Sequence, residues 1–180
     1  RIMNLANGEV LVLGALASFW LYTTSQISPL LTVVLVAPIS FIGNWLIYRF
    51  LLTPLVRRSK TQSHLEVDAI LATFGMSFIL IGIMVSIEGG FFAYKYLSTA
   101  ISIFGSTTSL SRFVAFLIAV LIGGLLYLWL NHTRSGVAVR AVSVSTEASG
   151  LVGINVPRVS ALAFALGGAI TAVGGALIST

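Results

Sequence analysis

The stretch ILATFGMSFILIGIMVSI, residues 70–87, runs for eighteen residues without a charge. As a helix it rises roughly 27 Å, close to the ~30 Å hydrocarbon core of a bilayer. The same character extends over the whole chain. Its 180 residues are 57% hydrophobic and only 8% charged, and the mean hydropathy is +1.04. Soluble domains carry about 25% charged residues. A water-soluble fold of this size has no interior large enough to hide so much apolar surface, so the solvent is lipid. The sequence predicts an all-α fold, a polytopic transmembrane helical bundle with about five apolar segments in one domain over residues 1–180.

Working outward from that stretch, segment three opens at an S-x-x-E capping box, Ser63 and Glu66, and runs to about Ile87. Glu66 and Asp68 in its first turn complement the helix dipole. Before it lies the most basic stretch, TPLVRRSKTQSH, residues 53–64. Segment two runs from Pro29 to about Phe50, with Ser28 as its N-cap and Pro38 inside it as a source of a kink. Segment one, about Glu9 to Tyr22, covers roughly 21 Å and falls short of the bilayer core. Thr23 to Ser28 form a polar linker. Residues 88–112 read as a long mixed loop whose aromatics suit a membrane interface. Segment four runs from about Phe113 to Leu130, and Pro157 opens segment five, which ends near Ile178.

Loop basicity sets an expected orientation. Arg49, Arg57, Arg58, Lys60, Arg134, Arg140 and Arg158 fall on one side, against Lys95 and Arg112 on the other. Seven against two puts the first set in the cytoplasm. The net charge of +5 and pI of about 10.1 reflect those loops. No basic stripe is long enough to track a nucleic-acid backbone. There are no cysteines and only two histidines, His64 and His132, so disulfides and thiolate metal sites are excluded and a histidine site is unsupported. The chain starts at Arg1 and ends at Thr180 just after an apolar segment. It reads as a fragment, incomplete at both ends.

Three motifs carry chemistry. In NLANGE, residues 4–9, a glutamate runs straight into an apolar segment. With Tyr22 at the outer face, Glu9 lies about 20 Å inward along a helix. An ionisable residue at membrane depth usually faces a protein interior or a water-filled cavity. Asn4, Asn7 and Gly8 favour a non-helical turn, and broken backbone at that depth is tolerated only where it is buried or lines a cavity. Two readings stand open: a helix break beside a translocation path, and an interfacial cap at an ordinary loop. In ATFGMSFIL, residues 72–80, Gly75 and Ser77 suit close helix packing. A serine protease would need a histidine beside Ser77. His64 is some 13 residues away, about 20 Å along a helix, which excludes that reading.

Segment five, ALAFALGGAITAVGGALI, repeats small residues every four positions at Ala161, Ala165 and Ala169, a packing pattern rather than a site. The loop before it, residues 131–157, is too long for a hairpin and too apolar for a solvated turn. Val137, Val139, Val142, Leu151 and Val152 need a surface to bury against. Ser145 is placed to cap a short helix, with Glu147 in its first turn and Gly153 at its end. Such a helix is either a docking element for a soluble partner or a helix lying on the membrane surface.

These motifs resemble the branched-chain amino acid permeases of ATP-binding-cassette (ABC) transporters. That family carries T-R-x-G-x-x-x-R-A, then an E-A-A-like element, then G-I-N and a helix rich in Gly and Ala. The matches are Thr133, Arg134, Gly136, Arg140, Ala141, Glu147, Ala148, Gly153, Ile154 and Asn155, with Ser149 at the second alanine of E-A-A. The family's LivH-type subunit has N-x-A-H-G-E before an apolar run and G-A. Asn4, Ala6, Gly8, Glu9, Gly14 and Ala15 match it, and Asn7 replaces the histidine. Its A-T-x-G-x-S stretch is matched by Ala72, Thr73, Gly75 and Ser77.

The resemblance covers essentially the whole chain and implies a multi-pass permease subunit of the prokaryotic cytoplasmic (inner) membrane. It implies as partners a second permease subunit (LivM-type), two cytoplasmic ATPase subunits and an extracytoplasmic solute-binding protein, with membrane lipid around the spans. ATP is then used by the partner subunits, and this chain, having no G-x-x-x-x-G-K-[ST] phosphate loop, is not itself an enzyme. Asn4, Asn7 and Glu9 are the expected translocation-pathway residues. Arg134, Arg140, Glu147, Ala148, Gly153 and Asn155 are the expected ATPase-coupling residues. Urea or short amides are alternative solutes within the family. An ion-coupled secondary transporter using Glu9 is the alternative from another class, and the E-A-A-like loop argues against it. A purely structural membrane subunit is a third class, against which the depth of Glu9 and the Pro38 kink argue.

Overall fold

The computed structural model describes residues 4–26, 28–58, 62–88, 100–103 and 106–179. The fold is helical. Its elements are α1 (Asn7–Ser25), α2 (Pro29–Ile47), a π-helical turn (Tyr48–Leu52), α3 (Thr53–Arg58), α4 (Gln62–Glu88), strands β1 (Ala100–Ile103) and β2 (Ser106–Ser109), α5 (Leu110–His132), α6 (Arg134–Val144), α7 (Thr146–Leu151) and α8 (Val156–Ile178). Four stretches are long and apolar enough to cross a membrane: Leu31–Val56, Glu66–Ile87, Leu110–His132 and Val156–Ile178. The fifth apolar segment is α1. It is helical throughout but begins with Asn7, Gly8 and Glu9, which dilute its apolar run.

The chain forms two compact units. The first holds α1 to α4 and α8 from Ala165 to its end. Small residues make its packing possible. A Cβ on Gly14 would overlap the backbone of Ala172, and one on Gly175 would overlap the Leu11 carbonyl, so α1 and α8 meet backbone to backbone. A Cβ on Gly168 would run into the Asn44 side chain of α2. Ala165 and Ala169 of the four-residue repeat are buried, and Ala172 and Ala176 continue the same buried stripe. Ser40 Oγ donates to the Gly168 carbonyl at 3.1 Å, tying α2 to α8 by a hydrogen bond in an otherwise apolar contact.

Local chemistry explains most element ends, and several differ from expectation. Ser28 sits at the N-cap of α2 with Pro29 at N1, but its hydroxyl caps nothing. Its carbonyl instead receives the N–H groups of Leu31 and Thr32. Segment two does not stop at Phe50. A wider π turn buries Tyr48 and Leu52, Thr53 Oγ1 donates to the Tyr48 carbonyl at 3.0 Å, and helix continues to Arg58. Pro54 is tolerated because it falls in the first turn of α3. The first part of the basic stretch is thus helical. Helix α4 is already formed at Gln62, so Ser63 lies inside it and the Ser63–Glu66 capping box is not the start.

The second unit holds β1, β2, α5, α6, α7 and the first part of α8. The expected irregular loop contains an antiparallel hairpin, with Ala100 opposite Ser109 and Ile103 opposite Ser106. Helix α5 starts at Leu110, three residues before the expected Phe113. The loop expected over 131–157 is mostly helix. Thr133 Oγ1 accepts from the Gly136 N–H at 3.0 Å and caps α6. Ser145 Oγ accepts from the Ala148 N–H at 3.2 Å and caps α7, with Glu147 in its first turn. Gly153, at φ +82°, turns the chain out of α7.

Candidate functional site

The first candidate site lies at the start of α1. Asn4 Oδ1 accepts from the Ala6 N–H at 3.1 Å, and Asn4 Nδ2 donates to Asn7 Oδ1 at 2.8 Å. This is an Asx-type turn, which lets Asn4 hold a non-helical backbone just ahead of a helix whose N-cap, Ala6, has no side chain to do so. The non-helical turn is therefore at Asn4–Ala6, and Asn7 and Gly8 are already helical, so the turn ends one step earlier than the residues suggest.

The turn is anchored from α4. The Leu5 N–H donates to Thr73 Oγ1 at 3.4 Å, and Thr73 Oγ1 in turn donates to the Ala69 carbonyl at 2.8 Å. Two of the three sequence motifs thus meet, the front turn and the A-T-x-G-x-S stretch. Thr73 lies seven residues into the apolar stretch Glu66–Ile87, about 10 Å from its start. Ser77, one turn further, is buried and donates to the Thr73 carbonyl at 3.2 Å. The turn ahead of α1 is thus held against the apolar stretch of α4.

Glu9 is one turn beyond Leu5 on α1. It is half-buried, and its Oε2 is fully buried without a hydrogen-bond partner among the described residues. Of the expected pathway residues, Asn4 is half-buried and Asn7 exposed. No group of three His, Cys, Asp or Glu side chains arranged for a metal occurs among the described residues.

The second candidate site is the elbow formed by α5, α6 and α7. A Cβ on Gly136 would overlap the backbone at Trp129 and Leu130, so only glycine lets α6 fold back on the end of α5. Arg140 Nη1 donates to Asn131 Oδ1 at 2.6 Å and clasps the same two helices. Asn155 Oδ1 accepts from the Arg158 N–H at 3.3 Å, capping α8. Arg140 and Asn155 thus have structural partners within the chain. Arg134, Glu147 and Ala148 are exposed. So are three apolar side chains, Val144 at 87%, Leu151 at 90% and Val152 at 75%. Ser149 is buried, with its hydroxyl donating to the Ser145 carbonyl at 2.7 Å, which explains a small residue there.

Thr73 as the anchor of the front turn and Asn131 as the partner of Arg140 were not legible as site residues. Each pairs across a sequence gap that no short motif spans.

Comparison with known proteins places these features in one group. A family model described as the permease component of branched-chain amino acid transport systems matches residues 1–180. The chain is 28% identical to the high-affinity branched-chain amino acid transport system permease protein LivH of Salmonella typhimurium (strain LT2), over 98% of this chain and 60% of that protein. It is 27% identical to the LivH protein of Escherichia coli (strain K12), over the same shares. The chain thus spans 60% of the length of these relatives. No solved structure matches it.

Proposed function

Because this chain belongs to the family of branched-chain amino acid transport system permease components, we propose that it is part of the membrane-spanning subunit of an ABC importer. It moves branched-chain amino acids across the prokaryotic cytoplasmic (inner) membrane. Its partners are a second permease subunit of the LivM type, two cytoplasmic ATPase subunits and an extracytoplasmic solute-binding protein. The ATPase subunits bind and hydrolyse ATP.

The observation that carries this reading is α7. It is a two-turn helix, capped at both ends, that exposes Val144, Leu151 and Val152 just beside it in the chain. Apolar side chains held outside the spans on an ordered element fit a docking surface for a soluble subunit. Residues 131–157 act as the cytoplasmic coupling loop. ATP binding closes the ATPases, and α7 passes their motion to the spans. Coupling of this kind requires α7 to have different contacts in the two states. Arg134, Glu147 and Ala148 face the partner. Arg140, Gly153 and Asn155 shape the elbow that presents them. Asn4, Asn7 and Glu9, at the break in α1, line the solute path.

Uptake by the full-length permease assembled with its partners in proteoliposomes tests this. The expected result is ATP-dependent accumulation of labelled leucine. Accumulation of urea in its place would assign the chain to a neighbouring solute class. Uptake driven by an ion gradient without any ATPase would make it a secondary carrier.

A further inference from the structure

The junction at the break in α1 satisfies nearly all of its own polar groups. Asn4 Oδ1 and Thr73 Oγ1 already accept from backbone N–H groups. The hydroxyls of Thr73 and Ser77 donate to backbone carbonyls. Asn4 and Asn7 pair with each other. Glu9 is left over. Its Oε2 is buried and accepts nothing among the described residues. A buried carboxylate oxygen without a donor is costly, and buried charges in proteins are paired or bound to ligands. The N-terminal end of α1 offsets part of the charge, because Glu9 is in its first turn, but supplies Oε2 with no hydrogen bond.

The chemistry of the missing donor can be narrowed. A bare cation takes several oxygen ligands, and the Asn4 and Thr73 side-chain oxygens of the turn are already engaged. A neutral amide offers N–H groups without charge. An ammonium offers three N–H donors and the compensating charge, the strongest match to a single unpaired carboxylate oxygen.

We propose that Glu9 Oε2 is the recognition point for the ammonium group of the solute as it passes the break in α1. The path then favours solutes bearing a primary amine, such as zwitterionic amino acids, over urea and neutral amides. This rests on the reading of the chain as the permease of an importer.

The test compares the intact importer carrying Glu9→Gln with the unaltered one, in proteoliposomes, with leucine-loaded binding protein. The amide has nearly the same shape but no charge. The expected result is a fall in ATP-driven leucine uptake of about tenfold or more, with the ATPase subunits still co-purifying. Leucine uptake unchanged in Glu9→Gln would overturn the proposal while leaving the importer reading intact. Failure of Glu9→Gln to assemble would also overturn it. It would mean that the carboxylate pairs with a basic group of the assembled permease, since an empty ammonium site tolerates an amide. Absence of leucine uptake in the unaltered importer would instead defeat the importer reading.

Discussion

In the first unit Thr73 and Ser77 of α4 and Asn44 of α2 are buried, while Phe74, Phe78 and Ile79 on α4 stand exposed. In the second unit the α7 region also exposes apolar groups, Val144, Leu151 and Val152, but on a short helix between caps rather than on a span. The same exposure has two causes. On α4 it is the ordinary outer face of a helix in lipid, where polar groups turn inward to find partners. Around α7 the run is too short to cross a bilayer and is set among Arg140, Glu147 and Asn155, so it is not the face of a span. Under the coupling role proposed above, a protein surface covers it. The comparison separates the outer face of a span from an apolar face on a short element between spans, which exposure alone does not.

Four substitutions and one control sharpen that contrast. The largest effect is expected for Gly14→Val. Its side chain would have to displace the Ala172 backbone, costing on the order of 3 kcal/mol. The thermal midpoint and yield of the detergent-solubilised permease should fall sharply. Gly123→Val on α5, where an added Cβ meets nothing within 4 Å, should leave both unchanged. Equal losses at the two sites would mean that α1 and α8 do not meet backbone to backbone.

Next comes Leu151→Asp, which should leave folding untouched but weaken ATPase binding by about 2 kcal/mol, the cost of losing an interface anchor. Co-purification of ATPase with the variant reads it out, and undiminished recovery would count against the docking face. Thr73→Val follows. It strips the Leu5 N–H of its acceptor at membrane depth and should cost about 1.5 kcal/mol, seen as faster hydrogen exchange at Leu5 and Ala6. The smallest is Ser145→Ala, which removes the α7 cap at about 1 kcal/mol. It should loosen α7 in exchange measurements while α5 keeps its protection.

The spans were legible because apolar runs of bilayer length leave few alternatives, and the α7 caps because Ser145, Glu147 and Gly153 each act on their own neighbours. Helix α6 was not. Its valines read as loop residues seeking cover, and the signal for a helix was only Thr133 three residues ahead of Gly136. The π turn at Tyr48–Leu52 has no local signature and follows from burying Tyr48 and Leu52 together. At the front turn the sequence marked Glu9 and the asparagines, but placed the break a step late. What sets it is Asn4 closing on Ala6 with Thr73 holding Leu5, a contact across 68 residues. Asn44 carried a readable signal, an amide within an apolar run, yet its packing against Gly168 needs both helices to be seen.

The central claim is that α7 meets an ATPase. The chain has no cysteine, so a single Leu151→Cys in the full-length permease puts a reactive thiol on the most exposed apolar position of the elbow. Crosslinking in native membranes should yield an adduct that contains the ATPase subunit. A thiol at position 151 that reacts freely with soluble reagents yet captures no ATPase would contradict the coupling assignment.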